Sequence, residues 1–188
     1  YDPVTRALVF PGGTNGSNYV ELGGEFKDFT NGVSIEFEGE FGAERKVWER
    51  IFDFGSPFIE GSPSNNQFWV GHLYNTNELG VEVWIDNNTI GLCHTVGDAL
   101  GAPNDRTFHK WLITIGNEGA GPTPKCRIYK NGIELETQLG TSDGLAGSGV
   151  FGLDYRLPKD TTRENNYLGR SNWTADTDFE GSIRYIRL

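Results

Sequence analysis

Three glutamates, Glu36, Glu38 and Glu40, occupy every second position in the run from Val33 to Phe41, opposite Val33, Ile35, Phe37 and Phe41. Alternate side chains of a strand share a face, so the three carboxylates project together. Retaining glycoside hydrolysis uses two carboxyl groups about 5–5.5 Å apart, one as nucleophile and one as acid and base, and neighbouring same-face positions approach that spacing. The same alternation also makes the ordinary water-facing side of an antiparallel sheet, and that is its default outcome. No nucleophile elbow with histidine and acid partners, no HExxH pair and no phosphate-cradling glycine loop accompanies the acids. The expectation is a surface carboxylate row on a protein that is not an enzyme.

Saccharide recognition asks for a different set: flat rings against the apolar faces of sugars, with amides and carboxylates beside them for the hydroxyls. Trp84 alternates against Val83 and Ile85, which claim the core, and so points outward with Glu82. Trp69 alternates likewise against Phe68 and Val70 and shares its side with Gln67. The polar stretches at the two ends of the Trp69 run, Gly61 to Asn66 and Tyr74 to Glu78, either rim that face or are plain turns. The candidate ligand-binding set is therefore Asn66, Trp69, Tyr74, Asn75, Glu82 and Trp84. The competing reading is a second buried layer, since tryptophan is highly buried on average. Trp48 lies in a charged segment, and Trp173, in a loop of Asn, Asp and Thr, reads as packing.

Metal chemistry has less to work with. His72, His94 and His109 are scattered, without a second ligand at coordinating spacing, and read as structural histidines. Calcium prefers clustered oxygen ligands, which the acidic loops offer: Asp176 and Asp178, with Asp143 or Asp154, form a candidate site, against the alternative of solvated loop acids. The two cysteines, Cys93 and Cys126, make neither a disulfide scaffold nor a CxxC motif. Cys126 alternates with Ile128 and looks inward, whereas Cys93 faces away if Ile90 and Leu92 face the core, so two free thiols are expected. Three glycosylation triplets, at Asn15, Asn87 and Asn172, carry little weight in so asparagine-rich a chain.

The elements that must position these residues are strands. Only Ala43 to Arg50 has helical propensity, and it serves equally as a strand entry. Elsewhere short alternating apolar runs are cut by Gly, Asn, Asp and Pro, about a dozen in all by the spacing of turn signals. A dozen half-buried antiparallel strands pack as two sheets. Tyr129-Lys-Asn-Gly132 is the strongest hairpin signal, and the longest stretch without a strand pattern is Gly140 to Asn165. With 188 residues, no linker and no repeat, residues 1–188 are expected to form a single domain, excised from something larger. Sixteen basic against 26 acidic residues leave a net charge of −10, which disfavours nucleic acid as a partner. No apolar run approaches the roughly 18 residues of a membrane span, so no membrane insertion is expected.

An ordered series of motifs carries a family resemblance. Leu8-Val-Phe-Pro-Gly-Gly13 with Asn18-Tyr-Val-Glu-Leu22 resembles the opening strand pair of laminin-G-like, or concanavalin A-like, lectin/glucanase domains. Phe29 to Phe37, Arg50-Ile-Phe-Asp-Phe-Gly55, His109 to Ile115 and Arg127-Ile-Tyr-Lys-Asn-Gly132 are similar to its successive signature strands. Asn166-Tyr-Leu-Gly-Arg-Ser-Asn-Trp173 and Phe179 to Leu188 resemble the closing strand that returns to pair near the first. The resemblance covers nearly the whole chain. It implies an all-β fold, a two-sheet antiparallel jelly-roll β-sandwich, which binds a glycan or, in laminin-type members, a protein or peptide partner. That fold serves lectins, adhesins, spacers and hydrolases alike; the residues weighed above make the expected role a non-catalytic module of a secreted or cell-surface protein, bacterial in origin, with carbohydrate as the first ligand class and adhesion to a protein as the alternative. Glu36, Glu38 and Glu40 resemble the catalytic strand of family-16 glycoside hydrolases in this superfamily. Against that, the middle acid is Glu, Gly39 stands where a larger residue belongs, and the strand comes too early in the chain. The acids of the usual laminin-type calcium site are replaced at Phe10-Pro11-Gly12 and Ile183-Arg184-Tyr185, which leaves Ca2+ to the Asp176 and Asp178 loop if it binds.

Overall fold

The computed structural model describes residues 1–14, 16–23, 29, 31–44, 46–55, 66–74, 76–86, 89–102, 105–117, 124–140, 150–151, 157–158, 163–173 and 175–188. Among these residues there are fourteen strands and no helix. They are β1 (Leu8–Thr14), β2 (Val20–Glu21), β3 (Val33–Phe41), β4 (Arg50–Gly55), β5 (Phe68–His72), β6 (Leu79–Asp86) and β7 (Thr89–Thr95). There follow β8 (His109–Gly116), β9 (Lys125–Lys130), β10 (Ile133–Glu134), β11 (Thr137–Leu139), β12 (Val150–Phe151), β13 (Asn165–Leu168) and β14 (Thr177–Arg187). One sheet runs β1-β14-β3-β8-β9-β10 and the other β11-β7-β6-β5-β4-β13-β2, with β12 lying parallel to β7. The remaining pairings are antiparallel, and the closing strand β14 lies between β1 and β3. This is the two-sheet sandwich that the alternating runs predict.

Local chemistry explains the elements. In β3, Ile35 and Phe37 enter the core while Ser34, Glu36 and Glu38 stay outside. Asn131 and Gly132 both adopt positive φ, 52° and 82°, which gives the turn the twist a two-residue hairpin needs to join β9 to β10. Ala43 to Arg50 forms bends and turns at its described positions and enters β4 at Arg50. Of the stretch between Gly140 and Asn165, β12 and the approach to β13 are described, while Asp143 and Asp154 lie outside the described residues.

The core is aromatic. Phe10, Phe37, Phe41, Trp111 and Phe179 of the six-stranded sheet share one cluster with Phe52, Phe54 and Phe68 of the other, and within the six-stranded sheet Phe41 meets Phe179 edge-on at 5.7 Å. Both cysteines are free and buried in this core, with Cys93 Sγ 3.9 Å from the Cys126 carbonyl oxygen. The inward position of Cys93 corrects the sequence reading. Register places it opposite Val81, a core residue, while Leu92 points to the other side. No helix among the described residues is long and apolar enough to cross a membrane.

The central strands β4 and β5 of the eight-stranded sheet are buried on both sides. On the outer face of that sheet Trp69, Leu73 and Leu92 form a second apolar cluster, roofed by Trp48.

Candidate functional site

The outer face of the eight-stranded sheet gathers most of the candidate residues. Register sets Tyr167, Asp53, Trp69, Glu82 and Leu92 in one row across β13, β4, β5, β6 and β7. One pleat along, Trp84 lies beside Gln67, whose carbonyl accepts its backbone N–H at 2.8 Å. The chain leaving β13 then folds back over this face. Gly169 makes that turn at φ +80°, and a Cβ there would stand 2.4 Å from the ring of Phe10, so only glycine passes.

A buried ionic web anchors the returning segment. Arg50 donates to Asp53 at 2.6 Å and to Asp176 at 2.8 Å, with its guanidinium 4.4 Å from the Trp69 ring centre. Asn172 donates to both oxygens of Asp53, from its backbone and its side chain, each at 2.9 Å. Ser171 donates to Asp176 at 2.7 Å. Burial pushes the Asp176 carboxyl above the ordinary range, with Arg50 acting against it. A fork that bridges two carboxylates is strong, directional pairing, so the loop bearing Trp173 is held firmly. The Asn172 amide is committed to Asp53 and buried, which leaves it poorly placed as a glycosylation acceptor.

Beyond the web lies the aromatic site. Trp84 and Trp173 are partly buried, with ring centres 6.1 Å apart and planes inclined by 45°. The Trp173 indole N–H donates to Gln67 Oε1 at 2.8 Å, which fixes the ring. Beneath Trp84, Glu82 is only 6% exposed, and burial pushes its carboxyl up to about 7. Arg50 and the indoles of Trp84 and Trp69 act against that rise, but neither indole nitrogen makes a well-formed hydrogen bond. The side-chain oxygen of Asn66 is buried and unpaired as well. These atoms are closed to solvent, and the two indole N–H groups face the Glu82 carboxyl. Two slanted, part-exposed indoles can stack a flat apolar face.

The structure thus brings Asn66, Glu82 and Trp84 to one strand end and adds Gln67 and Trp173. Trp69 points outward as expected, but it is 0% exposed under Trp48, 6.0 Å away edge-on, and forms a second core layer instead of an open platform. Tyr74 is exposed at the far end of β5, next to Trp48, about 20 Å along the strand from Gln67. Asn75 lies outside the described residues. Trp173, read from sequence as packing, does pack against Trp84 and bonds Gln67, which sets it among the candidate residues.

The remaining candidates have partners of their own. Asp178 accepts the backbone N–H groups of Gly16, Ser17 and Asn18, which pins the turn after β1 to β14. Asp176 is held by Arg50 and Ser171. Among the described residues no group of three or more His, Cys, Asp or Glu is arranged to hold a metal ion. On the opposite sheet, Glu36 accepts from Tyr185, Glu38 from Arg184 and Glu40 from Ser182. The Glu36 bond, chiefly, pushes the Tyr185 hydroxyl up to about 12. His72 lies between the carbonyls of Lys46 and Thr76, and His94 bonds Glu78 at 3.0 Å.

No protein-family model matches the chain, and no curated protein matches it. Solved structures do. The CBM40 of the Ruminococcus gnavus IT-sialidase bound to alpha2,3 sialyllactose superposes with a TM-score of 0.50 at 12% identity, over 96% of this chain and 91% of that one. The same CBM40 in another structure gives 0.48 at 12% identity, over 94% and 89%. The leech intramolecular trans-sialidase complexed with 2,7-anhydro-Neu5Ac gives 0.51 at 15% identity; 95% of this chain matches 25% of that longer one. At such identities the likeness shows a shared fold, a two-sheet β-sandwich, and nothing more.

Proposed function

We propose that this chain is a non-catalytic carbohydrate-binding module carried by an extracellular or cell-surface protein. The observation that carries the proposal is the Trp84–Trp173 pair, two part-exposed indoles with ring centres 6.1 Å apart, Trp173 being fixed by its bond to Gln67. Aromatic faces bordered by amides and a carboxyl are the chemistry of sugar recognition. A protein of the same architecture has been determined with sialyllactose bound, which supports a glycan as the ligand class. The non-catalytic reading is supported by the carboxylate row of β3, in which each acid bonds a neighbouring Tyr, Arg or Ser of β14.

The test is a glycan array on the purified protein, followed by titration of its best ligand. Trp84→Ala and Trp173→Ala should each weaken binding by about tenfold or more, the scale of a lost aromatic anchor. Unchanged urea midpoints would show that the variants remain folded. Running the array with calcium and again with a chelator tests the expected ion, with Asp176→Asn and Asp178→Asn to follow if the signal disappears. A blank array from folded protein ends the sugar reading and turns the search to a protein or peptide partner of the laminin-type kind.

A further inference from the structure

We infer, building on that reading, that the Trp84–Trp173 site takes uncharged pyranose sugars and rejects carboxylated ones. The ground beneath the two indoles is acidic. Glu82 lies under Trp84, and Asp53 and Asp176 stand in the adjoining web, where among the described residues Arg50 is the cation that answers all three. That guanidinium is already spent: one nitrogen on Asp53, one on Asp176, and its face on Trp69. Arg163 offers no substitute, since it is fully buried, donates from Nε to the Asn66 carbonyl at 2.9 Å and packs its face on Phe29. Arg170 stacks against Tyr19 and Tyr167, and Tyr167 is three strands from Glu82, about 14 Å at ordinary strand spacing. Above about pH 7, where Glu82 gives up its proton, a carboxylated sugar seated on the indoles therefore meets net negative charge and no available guanidinium among the described residues.

The fully buried indole of Trp69 faces Glu82 and is no anion anchor. Selectivity thus arises from repulsion of the wrong ligand as much as from contacts to the right one. Like charges several ångströms apart near a protein surface are worth a discrimination of about tenfold or more.

Matched pairs of glycans test this. Alpha2,3-sialyllactose and its carboxyl methyl ester, and oligogalacturonate and its methyl-esterified form, would be arrayed and titrated beside lactose and neutral oligosaccharides. At pH 8, where Glu82 is ionised, the expected result is binding of uncharged members about tenfold or more tighter than their acids, abolished by Trp84→Ala, with the gap narrowed in Glu82→Gln. Acids that bind as tightly as their esters, or tighter, through Trp84 overturn the inference and leave the module reading standing. Folded protein that binds neither set overturns both. The comparison on the unaltered protein decides the matter even if a variant fails to fold.

Discussion

Glu82 is a carboxyl removed from water and pushed up to about 7 by its burial, against an ordinary value of 4.5. Between those two values the folded protein holds a proton that the unfolded chain has released. Stability therefore falls as pH rises from about 4.5 to about 7 and stays lower above it, by about 3 kcal/mol at full extent. Glu82→Gln does not titrate, so its stability relative to the parent should improve between pH 5 and pH 8. Urea midpoints of both proteins at the two pH values check this; a constant difference would mean that the carboxyl is hydrated in the folded state. The outward direction of Glu82 and Trp84 was legible in the sequence, because strict alternation against Val81 and Val83 leaves them one side. The fate of Trp69 was not. Its roof is Trp48 from the turn before β4 and Leu73 from the turn after β5, contacts that no strand pattern encodes.

At the scale of elements, the segment from Gly169 to Asp176 decides whether a site exists at all, since it carries Trp173 and closes the ionic web. Gly169→Ala would combine a left-handed backbone with a methyl group pressed into the Phe10 ring. The expected loss is about 3 kcal/mol, summing the usual costs of positive φ and of overpacking. Urea unfolding measures it, and a loss below about 1 kcal/mol would show that the turn can slide off β1. Hairpins with strong turn chemistry, such as Asn131-Gly132, announce themselves in sequence because the turn type dictates the residues. The facing of β7 does not. Leu92 is buried on one side and Cys93 on the other, so the strand is apolar in both directions and its alternation has no parity to read.

At the scale of the whole molecule, the two sheets share one core, and both thiols lie within it, Cys93 on β7 and Cys126 on β9. Buried thiols react when the structure opens. An aromatic disulfide reagent should therefore modify both cysteines together, at the rate of global unfolding, and at once in strong denaturant. Fast modification of one thiol in native buffer would place a local opening at that strand. The sandwich itself was the most legible feature, since alternating runs with few helical signals leave two packed sheets as the economical solution. The placement of β14 between β1 and β3 has a consequence for how the protein is made. Synthesis delivers β1 and β3 early and β14 well after them. Until that strand leaves the ribosome, two partners wait with open edges, exposed to the wrong neighbours. Birth of this fold is therefore a matter of waiting, and a cell that produces it quickly must keep the early strands apart until the last one arrives.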